Sequence, residues 1–283
     1  MDDQDAAQGA APRKPLRAVT PQPVAGRSML RSLVRATSAL LIREMATTYG
    51  KSRLAYLYAI VTPVMGIILM SVVFSLALRS PPLGTSFALF YATGLFPYTI
   101  YREVESKITG SLKYSRQLLS YPSVTYVDAL LARFILTALT QVIIFSVVIG
   151  VLVMASQTNS VFRPVEVLAG ISAAAVLGLG VGALACALST ASPLFEQFWN
   201  AVNRPLVFIS GVLFLHEAVP QPYRAWLEYN PIVHVVGQMR KGFYNSYRGD
   251  YVDLTYVYLF ALVCLVTGLI LLNRYYRDLM ENL

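Results

Sequence analysis

Ionised side chains are scarce in this chain. Asp, Glu, Lys and Arg make up 13% of 283 residues, where a soluble domain carries about a quarter. With 56% apolar residues and a mean hydropathy of +0.55, the balance points to a membrane class before any motif is considered. The scarcity is also patterned. No Asp, Glu, Lys or Arg falls between Arg53 and Arg79, between Arg79 and Arg102, from Arg133 to Arg163, from Glu166 to Glu196, or from Asp253 to Arg274. Crossing a hydrocarbon core of about 30 Å takes about 20 helical residues, and each gap is long enough. The buried helices of a soluble all-helical protein do not account for five such runs in one chain.

Cysteine and histidine are nearly missing too. Cys186 and Cys264 both lie in apolar runs, so no disulfide framework is expected and no redox compartment follows. His216 and His234 are the only histidines, without Cys or carboxylate partners at metal spacing. No metal site is predicted, and His234 is expected to pack or hydrogen-bond locally. A GxxxxGK(S/T) phosphate loop is absent, so ATP and Mg are not expected to be held by this chain in that way. The charge-free gaps offer no carboxylate for a proton or ion relay. Glu103 and Glu105, at the end of the second gap, and Glu196, near a loop, read as groups solvated at an interface. An ion-driven antiporter is therefore disfavoured, and no catalytic centre is visible. The start, MDDQDAAQGAAPRKP, lacks an apolar core and does not read as a cleaved signal peptide. The first span is expected to act as its own insertion signal.

The apolar runs organise the remainder. The fold class predicted is an all-α membrane protein with six transmembrane helices, at about 54–78, 84–104, 127–154, 166–190, 200–216 and 253–273. The fifth rests on a short candidate, Pro205–Leu215, which must borrow residues from its flanks. Residues 1–27, of low hydrophobicity and with prolines at 12, 15, 21 and 23, are expected to be a disordered cytoplasmic tail. Residues 28–52 read as an amphipathic helix in the headgroup plane. Leu30, Leu33, Val34, Thr37, Leu41 and Met45 follow helical spacing, while Arg27, Arg31 and Arg35 lie on another face, suited to anionic lipid. An ordinary solvent-exposed helix is the alternative. The permease body is expected over 53–275 and a cytoplasmic C-terminal tail over 276–283.

Nine Lys or Arg precede the first span, whereas the next loop holds only Arg79. The positive-inside rule then places the N-terminus in the cytoplasm, and six spans return the C-terminus to the same side. Glu217–Asp253 is more basic than an external segment should be. Its apolar stretches AWLEY and PIVHVVGQM are too short to span and are separated by Asn230-Pro231, where the residue before proline disfavours helix. Two short helices entering the membrane partly from outside, a re-entrant hairpin at about 217–245, fit this pattern. Irregular backbone at that depth is tolerated where it is buried in protein or lines a water-filled cavity, which argues for a transport path. Gly178, Gly180 and Gly182 read as helix packing through small residues rather than as a phosphate-binding turn.

Aromatic residues are in surplus. Phe90, Tyr91, Tyr98 and Tyr101 crowd the second span, and Trp199, Tyr223, Trp226 and Tyr229 flank the fifth span and the hairpin. Rings can stack on the C–H faces of sugars while hydroxyls keep polar partners, although Trp and Tyr also form belts at membrane interfaces. Between spans two and three, SKITGSLKYSRQLLSYPSVTYVD is polar, basic and longer than a plain connection. A short cytoplasmic helix able to dock on a soluble partner fits it.

Three stretches together resemble a known family. FYATGLFPYTIYREV is similar to the second span of capsular polysaccharide export permeases, the membrane subunits of type-2 ATP-binding-cassette exporters. SLKYSRQLLSYPSVTYVDALLARF resembles their coupling helix and third span. FISGVLFLHEAVPQPYRAWLEYNPIVHVVGQMRKGFY resembles their fifth span and external hairpin, and the likeness covers most of residues 28–275. It implies a homodimer carrying two cytoplasmic ABC ATPase subunits, which bind the ATP and Mg. It also implies export of lipid-linked capsule polysaccharide toward a periplasmic membrane-anchored adaptor and an outer-membrane channel. No nucleic-acid partner is expected. By position, Gly110, Ser111, Lys113, Tyr114, Arg116, Leu119 and Tyr121 would couple to the ATPase, and Arg31, Arg35 and Arg43 would belong to a gate helix. The aromatic set would line the channel. Arg224, Arg240 and Lys241 would sit at the exit and favour an acidic polymer. O-antigen or teichoic-acid-type glycan exporters share this plan, as do small-molecule type-2 exporters. A membrane-embedded transferase on lipid-linked sugars is the alternative from another class, with Glu103, Glu105, Asp128 and Asp250 as its only candidate groups.

Overall fold

The computed structural model describes residues 38, 53–119, 125–155 and 162–281. Its helices are α1 (Arg53–Ala77), α2 (Phe87–Thr109), α3 (Ser111–Leu119), α4 (Tyr126–Ala155), α5 (Pro164–Ala191), α6 (Pro193–Asn203), α7 (Tyr223–Leu227), α8 (Pro231–Phe243) and α9 (Leu254–Glu281). Two 3-10 turns lie at Pro205–Val207 and His216–Ala218, and no strand occurs among the described residues. The predicted tail 1–27, the interfacial helix over 28–52 (Ser38 apart) and Tyr121 lie outside them.

Local chemistry sets the helix ends. Ser86 caps α2 by accepting from the Leu89 N–H at 3.4 Å. At the start of α4, Thr125 donates through its N–H and its hydroxyl to Asp128 Oδ2, both at 2.8 Å. Thr125 Oγ1 accepts in return from the Asp128 N–H at 3.3 Å, a reciprocal cap. Proline opens α5, α6 and α8, where a missing N–H costs no intrahelical bond.

Tyr126–Ala155, Pro164–Ala191 and Leu254–Arg274 are long and apolar enough to cross a bilayer, and Ile60–Leu76 is a shorter apolar stretch. These correspond to the predicted third, fourth, sixth and first spans. The fifth does not appear as one helix. Instead of a span over 200–216, α6 ends at Asn203, a 3-10 turn follows, and residues 208–215 are irregular. Pro205 has no N–H to donate to the Ala201 carbonyl, and Gly211, at φ 71°, turns the chain. The apolar stretch of the last helix ends at Arg274, and α9 continues beyond it to Glu281.

The centre of the molecule is α5, with α2 on one face and α9 on another. A Cβ at Gly178 would lie 2.8 Å from the Tyr101 carbonyl oxygen, and one at Gly182 2.9 Å from that of Glu105. At Gly180 it would fall 2.1 Å from the Ala261 carbonyl oxygen, and at Gly268 of α9 2.6 Å from the Leu184 nitrogen. No real side chain tolerates such distances, so glycine permits backbone-to-backbone contact here. The packing reading of this cluster is correct. α8 is buried along nearly its whole length. A Cβ at Gly170 would stand 3.3 Å from the Met239 nitrogen, which shows how closely α8 lies on α5. Phe243 meets Phe145 and Phe162 edge-on at 6.5 and 5.6 Å.

Candidate functional site

The predicted coupling segment contains a 9-residue helix, α3. Gly110 closes α2 with its N–H on the Ser106 carbonyl at 3.2 Å, so the chain turns directly into α3. Ser111 is fully buried, its hydroxyl 3.6 Å from Cys186 Sγ of α5. Lys113 forms an ion pair with Glu196 of α6. The Arg133 guanidinium of α4 lies 3.9 Å from the centre of the Tyr114 ring, and its Nη1 donates to the Lys107 carbonyl at 3.0 Å. Arg116 and Leu119 lie on α3 by backbone. One short helix is thus fastened to three longer ones.

Next to it, Glu105 is not the solvated interfacial group the sequence implied. It has no exposed surface and takes three donors: Arg102 in an ion pair, Thr109 Oγ1 at 2.9 Å, and the Trp199 indole N–H at 2.7 Å. A buried carboxylate persists only where donors replace its water. Trp199, expected to line a channel, therefore secures α6 to α2 and stacks on Phe195 with centroids 5.8 Å apart. Tyr98 adds a bond from its hydroxyl to the Asn203 carbonyl at 3.3 Å. Asp128, a transferase candidate, is committed to the α4 cap.

The aromatic set divides. Phe90, Tyr91 and Tyr101 are buried within the chain's own core at 2%, 7% and 3% exposure, so they form no ligand surface. Tyr223, Trp226 and Tyr229 are 68%, 76% and 79% exposed on and just after α7. Apolar burial explains the first group: rings at helical spacing on α2 face α5 and α8, and no sequence signal separates that face from a channel face.

Arg240 is corrected in the same way. It is 1% exposed, and its guanidinium donates to the Phe214 carbonyl at 2.9 Å and the Val212 carbonyl at 3.0 Å. It also stands 4.5 Å from the Phe90 ring centre. The irregular backbone that replaces the fifth span has carbonyls without helical partners, and Arg240 supplies donors to them. Asn230 does likewise for Ile209 O at 3.1 Å, while its own Oδ1 caps α8 by accepting from Ile232 N–H at 3.0 Å. A side chain at position 94 would collide with the same clasp, 2.7 Å from the Val212 oxygen. Arg224 also serves backbone, donating to Val219 O at 3.1 Å and to Glu217 O. Of the three expected exit cations, only Lys241, half-buried, has no hydrogen bond among the described residues. Together they do not form an anion-binding set.

His234 behaves as expected. Its Nδ1 accepts from the Asp253 N–H at 3.1 Å, so its Nε2 carries the proton and donates to the Glu228 carbonyl at 2.8 Å. The two histidines, 18 positions apart in the chain, both meet Tyr251: the His216 and Tyr251 rings are stacked with centroids 3.9 Å apart, and His234 lies at 5.8 Å. No group of metal-ligating side chains occurs among the described residues.

Long apolar helices packed through glycine, with a short polar helix clamped at one end, define a polytopic helical membrane protein. Residues 35–244 match the family described as "ABC-2 type transporter", and the chain belongs to that family. Over 233 residues it is 28% identical to the polysialic acid transport protein KpsM of Escherichia coli, covering 82% of this chain and 90% of that one. It is 24% identical over 251 residues to the capsule polysaccharide export inner-membrane protein CtrC of Neisseria meningitidis, covering 88% and 95%. It is 22% identical over 242 residues to BexB of Haemophilus influenzae, named for the same role, covering 85% and 91%.

Proposed function

We propose that this chain is the permease subunit of an exporter that moves capsule polysaccharide across a bacterial inner membrane, with ATP hydrolysed on a separate subunit. The observation that carries this reading is the match to a polysialic acid transport protein and two capsule polysaccharide export proteins, each over more than four-fifths of both chains. The α3 clamp supports it from the structure. A short, partly exposed helix joined to α2, α4, α5 and α6 is suited to pass the motion of a docked ATPase into the spans. The working unit is a homodimer with two ATPase subunits, which hold ATP and Mg. Both termini face the cytoplasm, α7 and α8 form a hairpin on the outer side, and a periplasmic adaptor and an outer-membrane channel receive the lipid-linked polymer.

The test is co-purification from the native host. A tagged chain should bring down a stoichiometric ATPase whose turnover rises with capsule polysaccharide. A chain recovered without any ATPase would sink the reading and put the membrane-embedded transferase first. A responsive ATPase stimulated instead by O-antigen or a small lipophile would keep the class and change the cargo.

A further inference from the structure

A cavity of about 650 Å³ opens between the 3-10 turn at His216–Ala218, α7, and the connection from α8 to α9. Its size is in the range of small-molecule sites. Its floor is aromatic and buried: His216, 3% exposed, is stacked on Tyr251, whose hydroxyl lies 3.0 Å from that of Tyr247. Burial pushes the Tyr251 hydroxyl up to about 12, so it keeps its proton at any physiological pH. The rim is polar. Glu217, Glu228, Arg248 and Asp250 line the cavity and are exposed. Among the described residues, the side chains of Glu217, Asp250 and Arg248 have no hydrogen-bond partner. His216 Nε2 is buried without one as well; the nearest acceptor, Glu228 Oε1, is 3.3 Å away but outside hydrogen-bond geometry.

Unused donors and acceptors converging on a concave aromatic floor require a ligand that offers both functions at close spacing. Sugar hydroxyls do this: each donates to a carboxylate and accepts from a guanidinium or imidazole N–H. An anion alone does not suit the site. Three carboxylates, Glu217, Glu228 and Asp250, face two guanidiniums, Arg224 and Arg248, and Arg224 already serves the carbonyls of Val219 and Glu217. A lipid tail does not suit it either, given that rim.

We propose that this cavity is a sugar-binding site which holds one or two units of a glycan through their hydroxyls, against the Glu217, Glu228, Arg248 and Asp250 rim, as the chain leaves the permease. The proposal rests on the glycan-export reading for the identity of the natural ligand. The geometry of the cavity stands without it. It also explains why His216 is buried with an open nitrogen: the ligand completes its hydrogen bonding.

The experiment uses the full-length chain purified in a sugar-free detergent, with N,N′-diacetylchitobiose as a neutral probe and N-acetylneuraminic acid as an acidic one. Saturation-transfer NMR should show saturable contact with the neutral probe. Glu228→Gln combined with Asp250→Asn should weaken it at least tenfold, while Glu103→Gln, far from the cavity in the fold, leaves it unchanged. The two rim positions are exposed, so the variant should elute and unfold like the parent. Absence of saturable contact, or equal affinity in the double variant, would overturn the proposal. Tenfold tighter binding of the acidic probe would overturn recognition through hydroxyls. The two readings fail separately: an ATPase that co-purifies with a chain unable to bind sugar retires only this site, and a sugar-binding chain without an ATPase retires only the export reading.

Discussion

At the scale of the residue, Arg240 shows how a charge can be kept inside such a fold. A guanidinium without a carboxylate partner is costly to bury, but here it faces two carbonyls and an aromatic ring. Those carbonyls belong to the stretch where the helix fails, so the residue and the irregular backbone stabilise each other. Replacing it by methionine would keep the volume and remove the donors. Each buried group left unsatisfied costs about 1–3 kcal/mol, so Arg240→Met, which leaves two carbonyls without donors, should destabilise the fold by about 2–6 kcal/mol. The check is the thermal unfolding midpoint in detergent, with folded yield by size exclusion. Export lost at an unchanged midpoint would restore Arg240 to a role at the exit. Trp199 and Glu105 follow the same logic, because the indole N–H is one of the donors that replace the water a buried carboxyl group has lost.

At the scale of the element, α3 matters more than its 9 residues suggest. Its ties differ in kind. Ser111 is buried and its hydroxyl hydrogen-bonds with Cys186 Sγ, whereas Lys113 and Glu196 meet at the surface with 43% and 37% of their side chains exposed. A partly exposed pair contributes about 0–1 kcal/mol, so it is poor as a stabiliser and suited to setting the orientation of α3 on α6. Lys113→Glu should therefore leave yield and unfolding unchanged, but lower the ATPase-driven export by several-fold. The exchange Lys113→Glu with Glu196→Lys should restore it. Export in cells and ATPase co-purification are the two readouts. If the double exchange stays as impaired as the single change, the ion pair carries no motion and Lys113 contacts the ATPase directly.

At the scale of the whole molecule, the rings expected to line a channel include an inner set, Phe90, Tyr91 and Tyr101, that holds the bundle and an outer set, Tyr223, Trp226 and Tyr229, at the α7 end. Export and folding should separate accordingly. Tyr91→Ala and Tyr101→Ala remove buried rings and create cavities, at about 3–5 kcal/mol each, so they should lower the amount of folded protein. Tyr223, Trp226 and Tyr229 changed together to alanine should leave folding intact and reduce polysaccharide export. Immunoblotting of the membrane fraction beside a capsule assay distinguishes the two. Normal export from the triple variant would mean that the outer rings only meet lipid or a partner protein. The cavity beside α7 and these rings occupy one end of the molecule, so an export defect there would be consistent with a single exit path.

Composition and spacing determined much of this by themselves. Charge-free runs are a physical requirement of a hydrocarbon core, so the membrane class and the spans at α4, α5 and α9 are legible from them. The break at Asn230-Pro231 and the packing role of Gly178, Gly180 and Gly182 follow from backbone sterics that act locally. Which side of a helix faces inward is another matter. Phe90, Tyr91, Tyr98 and Tyr101 share about a third of the circumference of α2, and only the approach of α5 and α8 decides that this face is buried rather than open to a channel. Nor does any local pattern reveal that Arg240 reaches Val212 and Phe214, 28 and 26 positions away, or that Trp199 finds Glu105 across 94. His216, Glu228, Arg248 and Asp250 meet for the same reason. Hydrogen bonds between distant segments are formed by tertiary packing, and a burial cost that depends on partners is set only once those partners are in place.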